Sequence, residues 1–175
     1  MEVSKKAPME LDEGKKQFIE SWGKLGINWG TNKTMGQVHA LLLMSPEPMC
    51  TDQIMDQLEI SRGNASTNCR TLMDWGLVHK KFKKGERKEY YIAEKDVITI
   101  FKSVIYQRKK KELDPMIKVL KDIKGVEGCC NESNEFCKVV SELYQFSTSA
   151  DKALVNLIES DSKLLFGTLL RFMGR

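Results

Sequence analysis

The side chains with the clearest chemical potential lie in one stretch, Ser61–Val78, which reads SRGNASTNCRTLMDWGLV. It combines hydroxyl, carboxamide and guanidinium groups, which together can donate and accept many hydrogen bonds. In the same stretch Ala65, Cys69, Leu72 and Met73 recur at the spacing of one buried helical face. The sequence therefore predicts a helix with one apolar face and one polar face.

The polar face is built from residues that form helices poorly. Relative to alanine, Gly63 and the Asn, Ser and Thr residues at 64 and 66–68 cost the helix roughly 3 kcal/mol in total. Short polar side chains let a helix lie deep in the major groove of DNA, where Arg can bind guanine and Asn can bind adenine. We therefore interpret the polar face as a base-reading surface, and Gly63 as a point of close approach to a phosphate.

Positive charge is concentrated around this helix. The chain carries a formal net charge of +4, and residues 60–92 carry +5 while the remainder carries −1. A local basic patch is the usual footprint of a polyanion-binding surface. A solvated lysine-rich face would give the same count, so charge by itself leaves both interpretations open.

The elements around the helix follow the order of a winged helix-turn-helix. Hydrophobic spacing predicts helices at 11–25, 34–44, 52–58 and 61–75, with Thr34, Thr51 and Ser61 as N-caps. Two β-prone runs, 77–82 and 88–93, flank a basic turn that contains Gly85, which is typical of a hairpin. A short helix, a tight turn and a second amphipathic helix form a helix-turn-helix, and the basic hairpin adds the wing.

The rest of the chain has helical periodicity. We predict helices at 97–108, 116–123, 136–146 and 150–172, with breaks at Asp114–Pro115, near Ser147 and near Asp161. The predicted fold is mainly α with a small β-hairpin wing. The predicted organisation is a loose tail (1–10), an N-terminal dimerisation helix (11–33), the DNA-binding domain (34–94) and a C-terminal helical region for dimerisation and effector binding (95–175).

The candidate DNA contacts fall into two groups, and Arg62 or Arg70 could instead pair with Asp74 or Glu86. Base and phosphate contacts are expected from the helix-turn-helix, and backbone contacts from the hairpin. The candidates are Thr51, Ser61, Arg62, Gly63, Asn64, Ser66, Thr67, Arg70 and Thr71 in the first group, and Lys83, Lys84, Arg87 and Lys88 in the second.

The quoted helix, the basic segment KKGERKEYY and the later run RKKKELDP resemble the MarR-type regulators of the glycine-betaine-synthesis repressor branch. The resemblance covers about Phe18 to Pro115. It implies a homodimeric winged-helix transcriptional regulator that binds pseudo-palindromic operators, with Ser61–Thr71 as recognition helix and Lys83–Lys88 as wing. Some members respond to small molecules such as choline. No motif is recognised after Gly125, so the ligand class does not carry over.

Physical reasoning also favours a homodimer on double-stranded DNA. Two-fold pairing places two recognition helices about one DNA turn apart, ~34 Å. The N-terminal helix and the helices after Val97 carry apolar stripes that a small winged core cannot bury alone. The alternative is a helical bundle formed within one chain.

Two further clusters of residues are candidate sites. Cys129, Cys130 and Cys137 have a spacing that suits zinc poorly, and their redox role stays open. Trp22 and Trp29, with Tyr106, could form an aromatic cage for a quaternary ammonium effector, although core aromatics of a dimer are the favoured interpretation.

Enzymatic, cofactor, metal and membrane functions receive no support. No phosphate-binding glycine motif or nucleophile elbow occurs, and no apolar run approaches the ~20 residues of a membrane span. An odd count of five cysteines without an export signal predicts a cytoplasmic protein with reduced thiols. We expect a sequence-specific DNA-binding regulator, acting as a repressor by occluding its operator. The alternatives are a winged-helix protein-interaction module and a nonspecific architectural DNA-binding protein.

Overall fold

The computed structural model describes residues 9–28, 30–126 and 131–160. The chain divides into two compact units, Met1–Lys95 and Asp96–Arg175. Each unit has its own helices, and the strands found among the described residues all belong to the first. Among the residues described, no helix is both long enough and apolar enough to cross a membrane.

The first unit is a winged helix-turn-helix, which confirms the predicted fold class. Its helices are α1 (Leu11–Asn28), α2 (Lys33–Met44), α3 (Thr51–Leu58) and α4 (Arg62–Asp74). Its strands are β1 (Met49–Cys50), β2 (Val78–Phe82) and β3 (Glu89–Ala93). The core lies between α2, α3, α4 and the sheet, where Val38, Leu42, Ile54 and Leu72 are almost fully buried.

The sheet has the antiparallel order β1-β3-β2. Strands β2 and β3 form the predicted hairpin, with Val78 opposite Ala93 and Phe82 opposite Glu89. The two-residue strand β1 was not predicted, because a strand this short has no periodicity of its own. It forms by pairing Met49 with Tyr91 and fixes the start of α3 against the hairpin.

Two predicted N-caps are wrong. Asn32, not Thr34, caps α2: its side-chain oxygen accepts a hydrogen bond from the backbone N–H of Met35 at 2.8 Å. Thr51 is the first residue of α3, and Cys50 holds the cap position, where its N–H donates to the Gln53 side chain at 2.9 Å. In each case a carboxamide oxygen, of Asn32 or of Gln53, accepts the hydrogen bond at the helix start, and the predicted threonine hydroxyl does not.

Helix α1 continues three residues beyond its predicted end because its glycines face α2. Gly23 and Gly26 are buried, and Gly36 of α2 lies against the α1 backbone. A Cβ placed on Gly36 would lie 2.7 Å from the Trp22 carbonyl oxygen and 2.9 Å from the Gly23 Cα. Glycine is thus required for the close approach of these two helices.

The second unit contains α5 (Val97–Arg108), a π-helical turn (Lys109–Leu113), α6 (Asp114–Ile123) and α7 (Asn131–Glu159). The predicted break at Asp114–Pro115 is wrong, since the chain stays helical through the π turn. The Asp114 carboxylate does not cap a helix but lies 2.7 Å from Lys109 Nζ, which also pairs with Asp151 at 2.7 Å. A π turn suits this position, because its wider register accommodates a proline that cannot donate.

Helix α7 is continuous from Asn131 to Glu159, so the predicted break near Ser147 is wrong and the helix begins five residues before its predicted start at 136. Ser147 is buried, and the hydroxyls of Thr148 and Ser149 donate to carbonyls of the preceding turn. These bonds let poor helix formers remain in a helix. The predicted break near Asp161 lies outside the described residues.

Candidate nucleic-acid interface

Helix α4 is held in place by one apolar face. Ala65 and Cys69 have no solvent exposure and Leu72 has 1%. Ser61 is the N-cap, as predicted, with its Oγ accepting from the Asn64 N–H at 3.3 Å. Burial raises the pKa of the Cys69 thiol to about 12, so this side chain acts as a core hydrophobe.

The opposite face of α4 points away from the core. Arg62, Gly63, Asn64, Thr67 and Arg70 are exposed, while Ser66 and Thr71 are half-buried. The Thr71 hydroxyl donates to the Thr67 carbonyl at 3.1 Å, which keeps it close to its own helix. A Cβ on Gly63 would contact nothing within 4 Å, so this position is open to a partner.

One polar residue of α4 has a different role from the others. Asn68 is buried, with its Nδ2 donating to Asn64 O at 2.9 Å and Asn64 Oδ1 at 2.6 Å. Its Oδ1 accepts from Asn32 Nδ2 at 3.0 Å. This amide network joins the cap of α2 to the middle of α4, so Asn68 stabilises the fold and does not belong to the reading face. The Asn68 amide also engages the side-chain oxygen of Asn64.

The wing, which is β2, β3 and the turn between them, carries the second group of candidates. Every residue from Lys81 to Glu89 is exposed. The turn depends on Gly85, whose φ is +87°. Lys83 lies over the Tyr90 ring at 4.3 Å, and the Tyr90 hydroxyl donates to Glu86, contacts that order the base of the turn. Lys84 and Arg87 project from it as exposed cations.

A cleft of about 370 Å³ lies between α4, the start of α3 and the wing. Six of the predicted contacts line this cleft: Thr51, Arg62, Ser66, Arg70, Arg87 and Lys88. Four other lining residues were not predicted: Cys50, Asp52, Glu89 and Tyr91. Their only sequence signal is their position beside predicted contacts, at a helix start and at a strand start.

Asp52 pairs with two of the predicted DNA contacts. Its Oδ1 binds the Arg62 guanidinium, and its Oδ2 lies 3.1 Å from Lys88 Nζ. Lys88 and Arg62 hold the pKa of this carboxyl below its usual range. Arg62 therefore does have a carboxylate partner, but that partner is Asp52 and not the expected Asp74 or Glu86.

Glu89 and Tyr91 form the floor beside Arg70. Glu89 pairs with Lys80 and accepts from the Tyr91 hydroxyl at 3.0 Å. These two bonds, with Arg70 nearby, hold the pKa of Glu89 below its usual range. Burial, together with the bond to Glu89, raises the pKa of Tyr91 to about 12. The cleft thus mixes fixed acceptors with exposed cations.

Of the predicted effector residues, the structure describes Trp22 and Tyr106, which belong to different units. Trp22 is half-buried on α1, where its Nε1 donates to His39 Nδ1 at 3.1 Å. Tyr106 is exposed on α5, in the other unit, and Trp29 lies outside the described residues.

The cysteine cluster is described only in part. Cys129 and Cys130 lie outside the described residues, and the Cys137 Sγ lies 3.0 Å from the Val126 carbonyl oxygen. In the residues that the structure does describe, no group of three metal-ligating side chains comes together.

The fold and this surface define a winged helix-turn-helix protein with a polar recognition helix and a basic wing. The model of bacterial regulatory proteins of the ArsR family matches residues 36–80, which run from α2 into β2.

Relatives of this chain occur in Bacillus subtilis (strain 168). The HTH-type transcriptional repressor GbsR is 23% identical over 112 residues, which are 64% of this chain and 62% of GbsR. The HTH-type transcriptional repressor OpcR is 24% identical over 121 residues (61% of this chain, 65% of OpcR). The putative regulator YvaV is 26% identical over 91 residues (52% and 51%). The matches span between half and two thirds of those relatives' lengths, and they confirm the resemblance to the GbsR branch.

A solved structure described as a transcriptional regulator has the same fold. It superposes with a TM-score of 0.64 at 16% identity and covers 83% of this chain and 95% of its own. At this identity the likeness concerns the fold and not the ligand.

Proposed function

We propose that this protein is a sequence-specific, DNA-binding transcriptional regulator that binds double-stranded DNA without catalysing a reaction. The observation that carries the proposal is the division of α4 into two faces. Its apolar face is fully buried, while Arg62, Gly63, Asn64, Thr67 and Arg70 remain exposed. A helix with this division can enter the major groove without losing its anchorage.

The wing supports the same function. It extends an exposed run of cations, including Lys84 and Arg87, beside the recognition helix. Contacts of this kind bind phosphates and set the register of the helix on the duplex. The hydrogen-bonding side chains of α4 thus suit the base edges of the double helix, and the cations of the wing suit its phosphate backbone.

We propose that the protein acts as a homodimer on a pseudo-palindromic operator. An apolar stripe on α7 supports this: Phe136, Val139, Leu143 and Phe146 are each more than two-fifths exposed. Their spacing of three, four and three residues is that of a coiled-coil seam. A second copy of the chain would bury the stripe and bring two recognition helices onto one face of DNA.

Repression is the output that the relatives favour, since GbsR and OpcR are both named repressors. A dimer bound across an operator excludes other proteins from the same DNA. An effector that alters this binding remains a prediction, as do the roles of Trp22, Trp29 and Tyr106.

The test is binding-site selection from random DNA at two salt concentrations. The proposal expects a palindromic consensus, and an affinity that falls with log[salt] at a slope near −0.9 per phosphate contacted. Salt-dependent binding without a consensus would favour an architectural DNA-binding protein. Absence of salt-dependent binding would favour a protein-interaction module.

A further inference from the structure

Asp52 stands where the two halves of the proposed DNA surface meet. It lies in the first turn of α3, and its two carboxylate oxygens bind different cations: Oδ1 binds Arg62, from the start of the recognition helix, and Oδ2 binds Lys88, from the wing, at 3.1 Å. A single acidic group therefore links α3, α4 and the turn of the wing across the cleft. The two pairs join residues that are 10 and 36 positions apart in the sequence, so neither is a pair of neighbours on one helix.

The arrangement of charges matches that of a bound phosphate. A carboxylate offers two oxygens to a guanidinium and an ammonium, as do the two free oxygens of a phosphodiester. Both cations remain accessible, since the side chains of Arg62 and Lys88 are 66% and 61% exposed. DNA reaching this cleft would meet cations that already have an anionic partner.

We propose that Asp52 is a specificity-determining residue, which withholds Arg62 and Lys88 from nonspecific DNA by pairing with them in the free protein. This inference rests on the proposed function. On a mismatched duplex the phosphates compete poorly with a carboxylate that is already in contact. On a matched operator, base contacts from α4 hold the backbone in place, so that its phosphates take over both cations. Asp52 thus acts through its partners and is a positioning residue.

The chain offers a matched control on the same helix. Asp56 is exposed on α3, one turn after Asp52, and it makes no ion pair within the part of the chain that the structure describes. Asp52→Asn and Asp56→Asn change the net charge equally, so long-range attraction of DNA increases by a similar amount in both. Any difference between the variants reports the local pairing.

The experiment measures fluorescence anisotropy of labelled duplexes across a salt series, with a random-sequence duplex and the duplex recovered by selection. For Asp52→Asn we expect affinity for the random duplex to rise roughly tenfold. The slope against log[salt] should steepen by about 0.9 to 1.8, since one or two more phosphates are contacted. Affinity for the selected duplex should rise less, so the specificity ratio falls. Asp56→Asn should keep the wild-type ratio.

Two further variants separate pairing from folding. Asp52→Glu keeps the carboxylate and should restore most of the wild-type ratio. In a Lys88→Gln background, Asp52→Asn should steepen the slope by about half as much, because one of the two cations is gone. Urea unfolding of each variant checks the fold, and Asp52→Ser replaces Asp52→Asn if the latter is unfolded.

Equal ratios for Asp52→Asn and Asp56→Asn, or weaker binding of the random duplex by Asp52→Asn, would overturn the inference while leaving the proposed function intact. Failure of the wild-type protein to bind either duplex would instead remove the proposed function itself.

Discussion

Trp22 of α1 donates its indole N–H to His39 Nδ1 of α2 at 3.1 Å, and this bond joins the first two helices. Because Nδ1 accepts, the neutral ring carries its proton on Nε2, which is buried without a hydrogen-bond partner in the described structure. Burial, with a smaller effect of Lys95, lowers the pKa of His39 to about 4. The α1–α2 contact therefore requires a neutral imidazole.

Acid should destabilise the first unit through His39. Its folded pKa lies below the ordinary value of 6.5, so the unfolded chain binds the proton more tightly. The stabilisation is complete above pH 6.5 and is lost as the pH falls towards 4, by up to about 3 kcal/mol. Urea unfolding at a series of pH values measures it. His39→Gln, which keeps an acceptor for Trp22, should flatten this region of the pH profile. A His39→Gln profile identical to that of the wild type would contradict the assignment.

Gly36→Ala should destabilise the protein. The added methyl group would lie 2.7 Å from a backbone oxygen of α1, so the two helices must separate. Overpacking of this kind typically costs about 1–3 kcal/mol in the free energy of unfolding. Gly63→Ala is the matched control: it meets no atom within 4 Å, and it should stabilise the helix by at most about 1 kcal/mol. Thermal unfolding measures the stability of both variants, and equal melting temperatures would contradict the close packing of Gly36 against α1.

Asn68→Ala should cost about 1–3 kcal/mol, because it removes a buried amide and three hydrogen bonds of the network with Asn32 and Asn64. Asn68→Asp should cost more, since a carboxylate would face two carbonyl oxygens of Asn64. Thr67→Ala, on the exposed side of the same helix, should leave stability within a few tenths of a kcal/mol. Chemical denaturation reports all three, and a neutral Asn68→Ala would place this residue outside the structural network.

Arg70→Ala and Lys84→Ala should weaken DNA binding in different ways. Arg70 lies on the reading face, so its loss should cost about 1–3 kcal/mol on the selected operator and little on random DNA. Lys84 lies on the wing, so its loss should weaken both duplexes and reduce the salt slope by about 0.9. Anisotropy titrations distinguish the two patterns. If Arg70→Ala weakens both duplexes equally, the helix contributes charge and does not read bases.

Leu143→Asp should separate the proposed dimer. The side chain is 48% exposed on α7, so the substitution leaves the chain's own core intact. A charge in the middle of an apolar seam is costly to bury, so we expect a monomer and a large loss of operator affinity. Sedimentation velocity gives the oligomeric state, with Glu142→Gln, beside the stripe, as a control. A Leu143→Asp protein that sediments like the wild type would exclude α7 as the interface.

Local patterns in the sequence determined most of the first unit. Periodicity located α2, α3, α4 and the hairpin, and Ser61 was correctly assigned as a cap, because each signal acts within about four residues. The same local reasoning failed at Asp114 and Ser147. The Asp114 carboxylate pairs with Lys109 and does not cap a helix. Next to Ser147, the Thr148 hydroxyl donates to a carbonyl of its own helix, so residues that often end a helix do not end this one.

Tertiary structure alone decided which polar residues stabilise the fold and which remain available to DNA. In the sequence, Asn68 and Asp52 look like the polar residues beside them. In the structure each bonds a residue 36 positions away in the chain: Asn68 bonds Asn32, and Asp52 bonds Lys88. Hydrogen bonds and ion pairs act over a few ångströms, so they depend on which residues folding brings together and not on sequence spacing. The recognition helix could therefore be located from its sequence, whereas the carboxylate that pairs with its first arginine could not.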